Sequence, residues 1–364
     1  MKVAILGGGA GGASAAVELT HRGHEVRLWN RSAAALADFR TAGGIRHIGV
    51  LGEGLTPVAS LTTDLSAAVR DVDVLLVCLP TLAHAALASA LIERHAAGTP
   101  VVLNPGHTGG ALEFSAQFRR HGLNPPPVAE FSTLTYVARV RAEGLLATTG
   151  RAKCVRAAAL PGGRAALDLG VALYDCAQPV ANVLVTSLSN VNLVLHPPGA
   201  ILGASWVEAT GGDFTFYVQG LTEGVTRVME QLDFERRQVA QGFGIHLPSL
   251  FEEMRSIGTI EAAVDGSAGL ASAIRAGTAN REIKAPGSFS HRYYQEDLWY
   301  GLGPFLALAQ IARVEAPCAR ALLQLGECAA RSHAPVGRRT AAEMGIAGLD
   351  KHALLAFVTE PSDT

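Results

Sequence analysis

The chain has 364 residues, which is too long for one average domain and fits two domains of roughly 150 to 200 residues each. Hydrophobic residues make up 49% of the sequence and charged residues only 17%, a composition that argues against extensive disorder. The 30 Lys and Arg residues nearly balance the 32 Asp and Glu residues, and no long block of like charge interrupts the sequence. Nucleic acid is therefore not an expected partner.

The cysteines and the N-terminus bear on location. The cysteines are scattered, with no Cys-x-x-Cys pair and no histidine at metal-ligand spacing, so we expect reduced thiols and no metal site. The first apolar run leads directly into glycines without the features of a signal peptide. No run approaches the roughly 18 uninterrupted apolar residues that a membrane span needs. We expect a cytoplasmic protein. The cysteines are Cys78, Cys154, Cys176, Cys318 and Cys328.

Short apolar runs alternate with helical stretches in the first half of the chain. This alternation predicts an α/β Rossmann domain with a doubly wound parallel sheet. From about Gln178 onward, long helical periodicities such as 225–243 and 318–330 predict a mainly α-helical second domain. We expect domains at 1–178 and 179–364. The runs that we interpret as buried strands are 3–6, 26–29, 74–79 and 101–103.

A glycine-rich motif follows the first predicted strand. Gly7, Gly9 and Gly12 form Gly-x-Gly-x-x-Gly directly before a helical run that ends near His21. This context is typical of a dinucleotide site, in which the glycines allow a tight turn, close approach to the pyrophosphate and close packing of helix on strand. The helix N-terminus supplies N–H groups and positive dipole to the phosphates. The alternative is a glycine-rich turn without a nucleotide. The cofactor-binding candidates in this motif are Gly7, Gly9, Ala10 and Gly12, and a further candidate is Pro80, directly after the predicted strand 74–79.

The end of the second predicted strand bears on the choice of cofactor. Asn30, Arg31 and Ser32 stand where an NAD-specific site usually has an acidic residue for the ribose hydroxyls. Arg31 can pair with a 2'-phosphate or stack on adenine, and Ser32 can donate a hydrogen bond. The three residues therefore predict a preference for NADP(H), with NAD(H) as a second cofactor. The alternative is that Arg31 only covers the surface.

The segment between Asp175 and Glu208 carries no charged side chain. On one continuous helix its polar residues would form a single stripe along an apolar rod. Buried polar groups need partners, so the stripe predicts either an internal hydrogen-bond network or, at its His196 end, a functional site. The uncharged surface also suggests a homodimer. The stripe consists of Asn182, Thr186, Ser189, Asn192 and His196.

Several further motifs extend along nearly the whole chain, and together they resemble the octopine/nopaline (opine) dehydrogenases. In the first domain they are the segment 104–114, which reads NPGHTGGALEF, and the segment 130–139 with Thr133 and Leu134. In the second domain they are Asn192-x-x-x-His196-Pro197, Phe216-Tyr217-x-x-Gly220-x-Thr222, Leu232-Asp233-x-Glu235-Arg236, Arg292-Tyr293-x-x-Glu296-Asp297 and Gly301-Leu302.

The resemblance implies a reductive condensation of an amino acid with a 2-oxo acid. The amine attacks the carbonyl, and hydride from the nicotinamide reduces the resulting imine to a secondary amine. The resemblance assigns His196 as general acid/base, Asp297 as the carboxylate that orients and charges it, and Arg292 as the group that binds a substrate carboxylate. A histidine that titrates near neutrality suits the proton transfers, and an arginine suits a carboxylate. Further substrate-binding candidates are Asn192, His107 and Thr133.

Other interpretations remain open from the sequence. A hydroxy acid or sugar-phosphate dehydrogenase would be favoured by a catalytic lysine, but the second domain contains only Lys284 and Lys351, both expected in a loop or tail. A non-catalytic NADP(H)-binding sensor would need only the nucleotide motif. His107 could be an exposed loop residue instead of a ligand. Because the nucleotide motif and His196 lie in different domains, we expect the active site in the cleft between them, closing around the cofactor.

Overall fold

A computed structural model of the protein describes residues 1–94, 98–278 and 280–360. Its strands form an eight-stranded sheet and a separate four-stranded sheet. The strands are β1 (Lys2–Leu6), β2 (Glu25–Trp29), β3 (Ile45–Gly49), β4 (Gly54–Thr56), β5 (Ser60–Thr62), β6 (Val74–Val77), β7 (Val101–Leu103), β8 (Val128–Phe131), β9 (Tyr136–Val140), β10 (Leu146–Arg151), β11 (Val155–Ala159) and β12 (Ala177–Pro179).

The large sheet is the core of the N-terminal half. Its order is β12-β11-β8-β7-β6-β1-β2-β5, and all neighbours are parallel except β8 and β11. Val3 in β1 pairs with Val26 on one side and with Val74 on the other, and all three are buried. Such fully apolar strands are typical of a parallel sheet covered on both faces by helices. The predicted Rossmann domain is confirmed, and β6 ends two residues before the predicted 79.

The four-stranded sheet was not predicted. It has the order β4-β3-β10-β9, and β3 pairs in parallel with β10, about a hundred residues later in the chain. Its short strands mix polar and apolar residues, so they carry no clear period in the sequence. The sheet matters for function because β9 forms part of the wall of the main cleft.

Helices surround the large sheet and form nearly all of the C-terminal half, as predicted. The predicted helices 225–243 and 318–330 are present with ends that differ by only one or two residues. The helices are α1 (Ala10–His21), α2 (Ala37–Ala42), α3 (Leu65–Val69), α4 (His84–Glu93), α5 (Gly110–Arg120), α6 (Arg164–Leu173), α7 (Val183–Leu188), α8 (Asn192–Leu202), α9 (Ala204–Thr210), α10 (Glu223–Gly242), α11 (Leu250–Ile257), α12 (Leu270–Ala276), α13 (Arg292–Gln295), α14 (Gly303–Ala312), α15 (Pro317–Ala329) and α16 (Lys351–Val358).

The uncharged segment is not one helix, so the single polar stripe expected from the sequence is wrong. Asn182 caps α7 by accepting a hydrogen bond from the Leu184 amide, and a break at 189–191 separates α7 from α8. Nearly all of 183–201 is buried inside the chain. This segment is uncharged because it is internal, so it offers no surface to a second copy of the chain.

A C-terminal segment joins the two halves of the molecule through Arg339. This fully buried side chain donates two hydrogen bonds to Oε2 of Glu113, at 2.9 and 2.8 Å, one to the carbonyl of Thr108 and one to Oγ1 of Thr81. Removing one partner of such a buried pair typically costs about 3 to 5 kcal/mol of stability. The contact therefore fixes the loops after β6 and β7 against the C-terminal half.

A second set of contacts joins the halves through Glu130, at the end of β8. Its Oε1 accepts hydrogen bonds from the hydroxyls of Thr186 at 2.5 Å and Ser187 at 3.3 Å, and its Oε2 accepts one from the Ala111 amide at 2.8 Å. A Cβ on Gly106 would lie 2.1 Å from Oε2 of Glu130, so the loop after β7 can pass this carboxylate only as glycine.

Within the described ranges 1–94, 98–278 and 280–360, no helix is long and apolar enough to cross a membrane.

Candidate active site

A cleft of about 690 Å³ lies between the two halves of the molecule. It runs from the glycine-rich turn between β1 and α1, past the loops after β6 and β7, to α8 and α13. Such a position, between the carboxyl ends of parallel strands and a second domain, is typical of ligand sites in this fold class. The residues predicted from the sequence that line it are Gly9, Ala10, Pro80, His107, Thr133, Asn192, His196 and Arg292.

The glycine-rich turn has the geometry that a dinucleotide requires. Gly7 has a φ of +127°, and a Cβ on Gly12 would lie 1.8 Å from the carbonyl oxygen of Gly7. A Cβ on Gly9 would meet nothing within 4 Å, so the backbone there faces open space at the start of α1. No side chain caps this helix N-terminus. Its N–H groups therefore point into the cleft at a position suited to a pyrophosphate.

The residues after β2 are placed differently from one another. Asn30 turns back to the motif, where its Oδ1 accepts a hydrogen bond from the Gly8 amide at 3.0 Å. Arg31 and Ser32 are exposed and lie outside the residues that line the cleft. Asp38 in α2 does line it, although this residue lies beyond the end of β2 and belongs to no motif noted in the sequence.

His196 and Asp297 form a buried hydrogen-bonded pair. Nδ1 of His196 lies 2.8 Å from Oδ2 of Asp297, and both side chains are almost fully buried. The other ring nitrogen, Nε2, lies 2.9 Å from the hydroxyl of Tyr217. The ring of Tyr293 stacks on the imidazole with centroids 3.7 Å apart. The imidazole is therefore held in one orientation by three neighbours.

Two short π-helical turns position the partners of His196. Asp297 begins the turn Asp297–Leu302, and Tyr217 lies on the turn Phe216–Gly220. Gly199 in α8 allows the second turn to approach, because a Cβ there would lie 2.6 Å from Cζ of Phe216. Single π-helical turns are frequent at functional sites.

Burial favours an uncharged dyad in the ligand-free cleft. Burial, followed by the positive charges of Arg292 and Arg139, lowers the pKa of His196 well below its ordinary value. Burial also raises the pKa of Asp297 well above its ordinary value. Both directions oppose the separation of charge within the pair while no ligand is bound.

Three arginines line the cleft, and they differ in their partners. Arg151 pairs with Glu18 at 2.8 Å and with Asp175. Arg292 and Arg139 have no ion pair with another described residue; Arg139 donates only to the carbonyl of Ala138. Both are exposed to the cleft. The two unpaired guanidinium groups are therefore available to anionic groups of a ligand.

The loop after β7 holds His107 inside the cleft, so the alternative of an exposed loop histidine is wrong. His107 is buried and has a φ of +58°. Its Nδ1 lies 3.4 Å from Nδ2 of Asn190. Burial, followed by the charges of Arg339 and Arg292, lowers the pKa of His107 to about 3. This histidine is therefore neutral and suited to hydrogen bonding.

Some residues of the site were not singled out from the sequence. Tyr217 was part of a motif but received no role, and Arg139 was noted only as the end of another motif. Glu296 also lines the cleft, where its Oε1 accepts a hydrogen bond from the Thr81 amide at 2.7 Å and burial raises its pKa to about 7. All three residues belong to motifs noted in the sequence, but the motifs gave them no role, because each reaches the cleft only through tertiary packing.

Comparison with known proteins identifies the family. A model of the α-helical domain of NAD/NADP octopine/nopaline dehydrogenases matches residues 179–330, and a ketopantoate reductase (PanE/ApbA) model matches residues 3–104. An opine dehydrogenase of Arthrobacter sp. (strain 1C) is 31% identical over 348 residues, which cover 95% of each chain. The chain belongs to the opine dehydrogenase family. It is an NAD(P)-dependent oxidoreductase of the class that acts on CH–NH groups.

Other relatives agree with this assignment. A vitopine synthase of Allorhizobium ampelinum is 24% identical over 97% of this chain and 98% of its own length. Among solved structures, an octopine dehydrogenase in complex with NADH and agmatine superposes with a TM-score of 0.72 at 18% identity, covering 98% of both chains. At this identity the superposition shows that the fold is shared. The predicted combination of a Rossmann domain with a helical domain is thus that of opine dehydrogenases.

Proposed function

We propose that this opine dehydrogenase joins the amine of an amino acid to a 2-oxo acid and reduces the product to an N-(carboxyalkyl) amino acid, preferring NADPH. The observation that carries the proposal is the hydrogen-bonded pair His196–Asp297, whose histidine lines the same cleft as the glycine-rich turn and Arg292. We keep the division at 178/179, which falls inside β12, with the nucleotide bound mainly by the first domain and the acid/base pair in the second.

The chain offers a fitting place for the nicotinamide cofactor. The open space at Gly9 and the uncapped N-terminus of α1 suit the pyrophosphate, and Pro80 and Asn104 line the same cleft. When bound, the cofactor supplies the hydride that reduces the imine carbon. His107 and Thr133, which also line this part of the cleft, are proposed to hydrogen-bond the substrates beside it.

Proton transfer is assigned to His196 together with Asp297. Condensation requires that the attacking amine lose a proton and that the carbinolamine lose its hydroxyl as water, while reduction requires a protonated imine nitrogen. One group that alternates between base and acid can serve all three steps. Asp297 fixes the orientation of the imidazole through Nδ1 and stabilises its charged form.

The substrates supply two carboxylates, one from the amino acid and one from the oxo acid, and both remain in the product. We assign Arg292, beside the dyad on α13, to one of them and Arg139, on β9, to the other. An arginine fork binds a carboxylate through paired hydrogen bonds. Asn192, at the start of α8, lines the same part of the cleft and can donate or accept a further hydrogen bond.

A matrix of amino acids and 2-oxo acids, assayed by oxidation of NADPH, tests the proposed function. We expect oxidation only when both substrates are present, with a secondary amine detected by mass spectrometry. Oxidation with an oxo acid alone would instead favour carbonyl reduction, an alternative with which the ketopantoate reductase match at 3–104 is compatible.

The hydroxy acid or sugar-phosphate dehydrogenase alternative would be favoured by a catalytic lysine in the second domain. Neither lysine of that domain lines the cleft: Lys284 pairs with Asp213 at the surface, and Lys351 lies at the start of α16.

Two further expectations, on the location of the enzyme in the cell and on its oligomeric state, are also proposals. All five cysteines are free thiols, which is typical of proteins of a reducing compartment, so we propose that the enzyme works in the cytoplasm. A homodimer remains a prediction without an assigned surface, and light scattering would test it.

A further inference from the structure

The imidazole of His196 is closed off from the cleft on several sides. Asp297 occupies Nδ1 and Tyr217 occupies Nε2, at 2.8 and 2.9 Å. Tyr293 covers one face of the ring, with an interplanar angle of 19°. The histidine side chain is only 2% exposed. A substrate therefore cannot reach Nε2 while the hydroxyl of Tyr217 stays in place.

Tyr217 shares the cleft wall with His196, and its hydroxyl occupies the one ring nitrogen, Nε2, that Asp297 leaves free. Its side chain lines the cleft together with Arg292 and Asn192. The π-helical turn that carries it packs against α8 through Phe216 and Gly199. The Phe216 amide also donates to the carbonyl of Ile283 at 2.8 Å, which fixes the turn from another segment. The hydroxyl is thus a fixed part of the wall.

We propose that Tyr217 is the catalytic group that exchanges protons with the substrate, and that His196 and Asp297 act through it. This inference rests on the proposed function. When the imine nitrogen is protonated, the O–H bond of Tyr217 breaks as the N–H bond forms. At the same time, the proton on Nε2 of the imidazolium moves to the phenol oxygen. Histidine ends neutral, Tyr217 is restored, and no electrons are gained or lost by the protein.

The same chain of hydrogen bonds works in reverse during condensation. The phenol oxygen takes a proton from the attacking ammonium group while its own proton passes to Nε2 of His196. Burial raises the pKa of Tyr217 well above its ordinary value, so the free phenolate does not accumulate. Transfer to and from the phenol must therefore be coupled to the histidine, which requires the short distance of 2.9 Å between Nε2 and the hydroxyl.

The test compares Tyr217→Phe with a matched control, Tyr294→Phe. The control removes another buried tyrosine hydroxyl, which donates to the carbonyl of Ala200 in the helix that carries His196 but does not line the cleft. We expect Tyr217→Phe to lower the turnover of opine formation by roughly a hundredfold or more, the range of a lost general acid, with NADPH affinity unchanged. Tyr294→Phe should keep the parent's turnover.

A second measurement separates a relay from a structural role. In mixtures of H2O and D2O, a plot of the parent's turnover against the deuterium fraction should be curved, because two protons move in the same step. Tyr217→Phe should give a straight line. The double variant Tyr217→Phe/His196→Ala should be no slower than His196→Ala alone, because both residues serve one path.

The inference is wrong if Tyr217→Phe, folded by circular dichroism and able to bind NADPH, forms opine as fast as the parent. It is also wrong if the parent's isotope dependence is linear. Failure of the proposed function looks different: the parent would then oxidise NADPH without needing an amino acid. In that case the same two variants are compared on the carbonyl reduction, and an unchanged rate for Tyr217→Phe overturns the relay there too.

Discussion

Nδ1 of His196 lies 2.8 Å from Oδ2 of Asp297, although 101 positions separate the two residues in the sequence. One is in α8, and the other begins the π-helical turn that follows α13. Both are buried, and Oδ1 of Asp297 has no hydrogen-bond partner among the described residues. The pair is the centre of the proposed chemistry.

His196 and Asp297 should act as one unit. We expect His196→Ala to lower turnover by about a hundred- to ten-thousandfold while leaving NADPH affinity nearly unchanged. Asp297→Asn should also lower turnover, and the double variant should be little worse than His196→Ala alone. Steady-state kinetics and cofactor titration measure these effects. Full amination activity in a folded, cofactor-bound His196→Ala variant would mean that this histidine is only a core residue.

The pH profile of Asp297→Asn gives an independent check on that unit. Loss of the carboxylate removes the charge that stabilises the imidazolium, so the pKa of His196 falls further. Reduction needs the protonated form of His196. As pH rises, the rate should therefore begin to decline at a lower pH in Asp297→Asn than in the parent. Profiles that decline at the same pH would show that Asp297 does not influence the proton donor.

NADPH should bind more tightly than NADH, by roughly one to three kcal/mol, the range of a charge-assisted contact. Arg31 has no ion pair with another described residue and can turn towards a 2'-phosphate. Arg31→Ala should therefore remove most of the preference, and fluorescence titration with both cofactors measures it. Asp38→Asn is the companion variant and should strengthen NADPH binding, because Asp38 lines the cleft. Equal affinities in the parent would refute the preference.

Arg139→Ala should impair the binding of one substrate. We expect the KM of either the amino acid or the oxo acid to rise roughly ten- to a hundredfold, the value of a charged hydrogen bond, with the other KM unchanged. The variant should also stop distinguishing that substrate from an analogue without its carboxylate. Arg141→Ala, which removes an exposed arginine two residues later that does not line the cleft, is the control. Weaker NADPH binding with unchanged substrate KM values would place Arg139 in the nucleotide site instead.

Glu130 should make stability depend on pH. Burial raises the pKa of Glu130 from 4.5 to about 7 in the folded protein, whereas the unfolded chain releases this proton near the ordinary value. Between pH 4.5 and about 7 the folded state therefore holds one more proton than the unfolded state. The contribution of Glu130 to the free energy of unfolding is lost as pH rises through this range, by roughly 3 kcal/mol in total. The side chain of Glu130→Gln does not titrate, so this variant lacks the pH dependence that Glu130 contributes.

Urea unfolding at several pH values tests this prediction. The stability of Glu130→Gln should decline less than that of the parent as pH rises to about 7. Glu53→Gln, at an exposed position, should follow the parent. Parallel pH dependences for the parent and Glu130→Gln would show that the carboxyl is already ionised in the folded state at acidic pH.

Local signals in the sequence determined the two-domain fold and much of the cleft. The Gly-x-Gly-x-x-Gly turn, the apolar strands and the long helices each depend on neighbours within a few residues, and the structure has them with small shifts at their ends. The motifs that contain His196, Arg292 and Asp297 could be recognised in the same way, because each is continuous in the chain. The parallel pairing of the large sheet also followed from the alternation of strands and helices, except between β8 and β11, which are antiparallel.

Only the tertiary structure decided which side chains meet. The four-stranded sheet brings Arg139 to the cleft through pairing of β9 with β10 and of β10 with β3, and this pairing leaves no period in the sequence. Tyr217 reaches Nε2 of His196 because Gly199 leaves room for Phe216, a contact between two elements that no local pattern encodes. The break between α7 and α8 likewise depends on burial within the helical domain. Hydrogen bonds and packing between distant segments depend on how the elements are arranged in space. That arrangement results from all elements packing together, so no short stretch of the sequence encodes it.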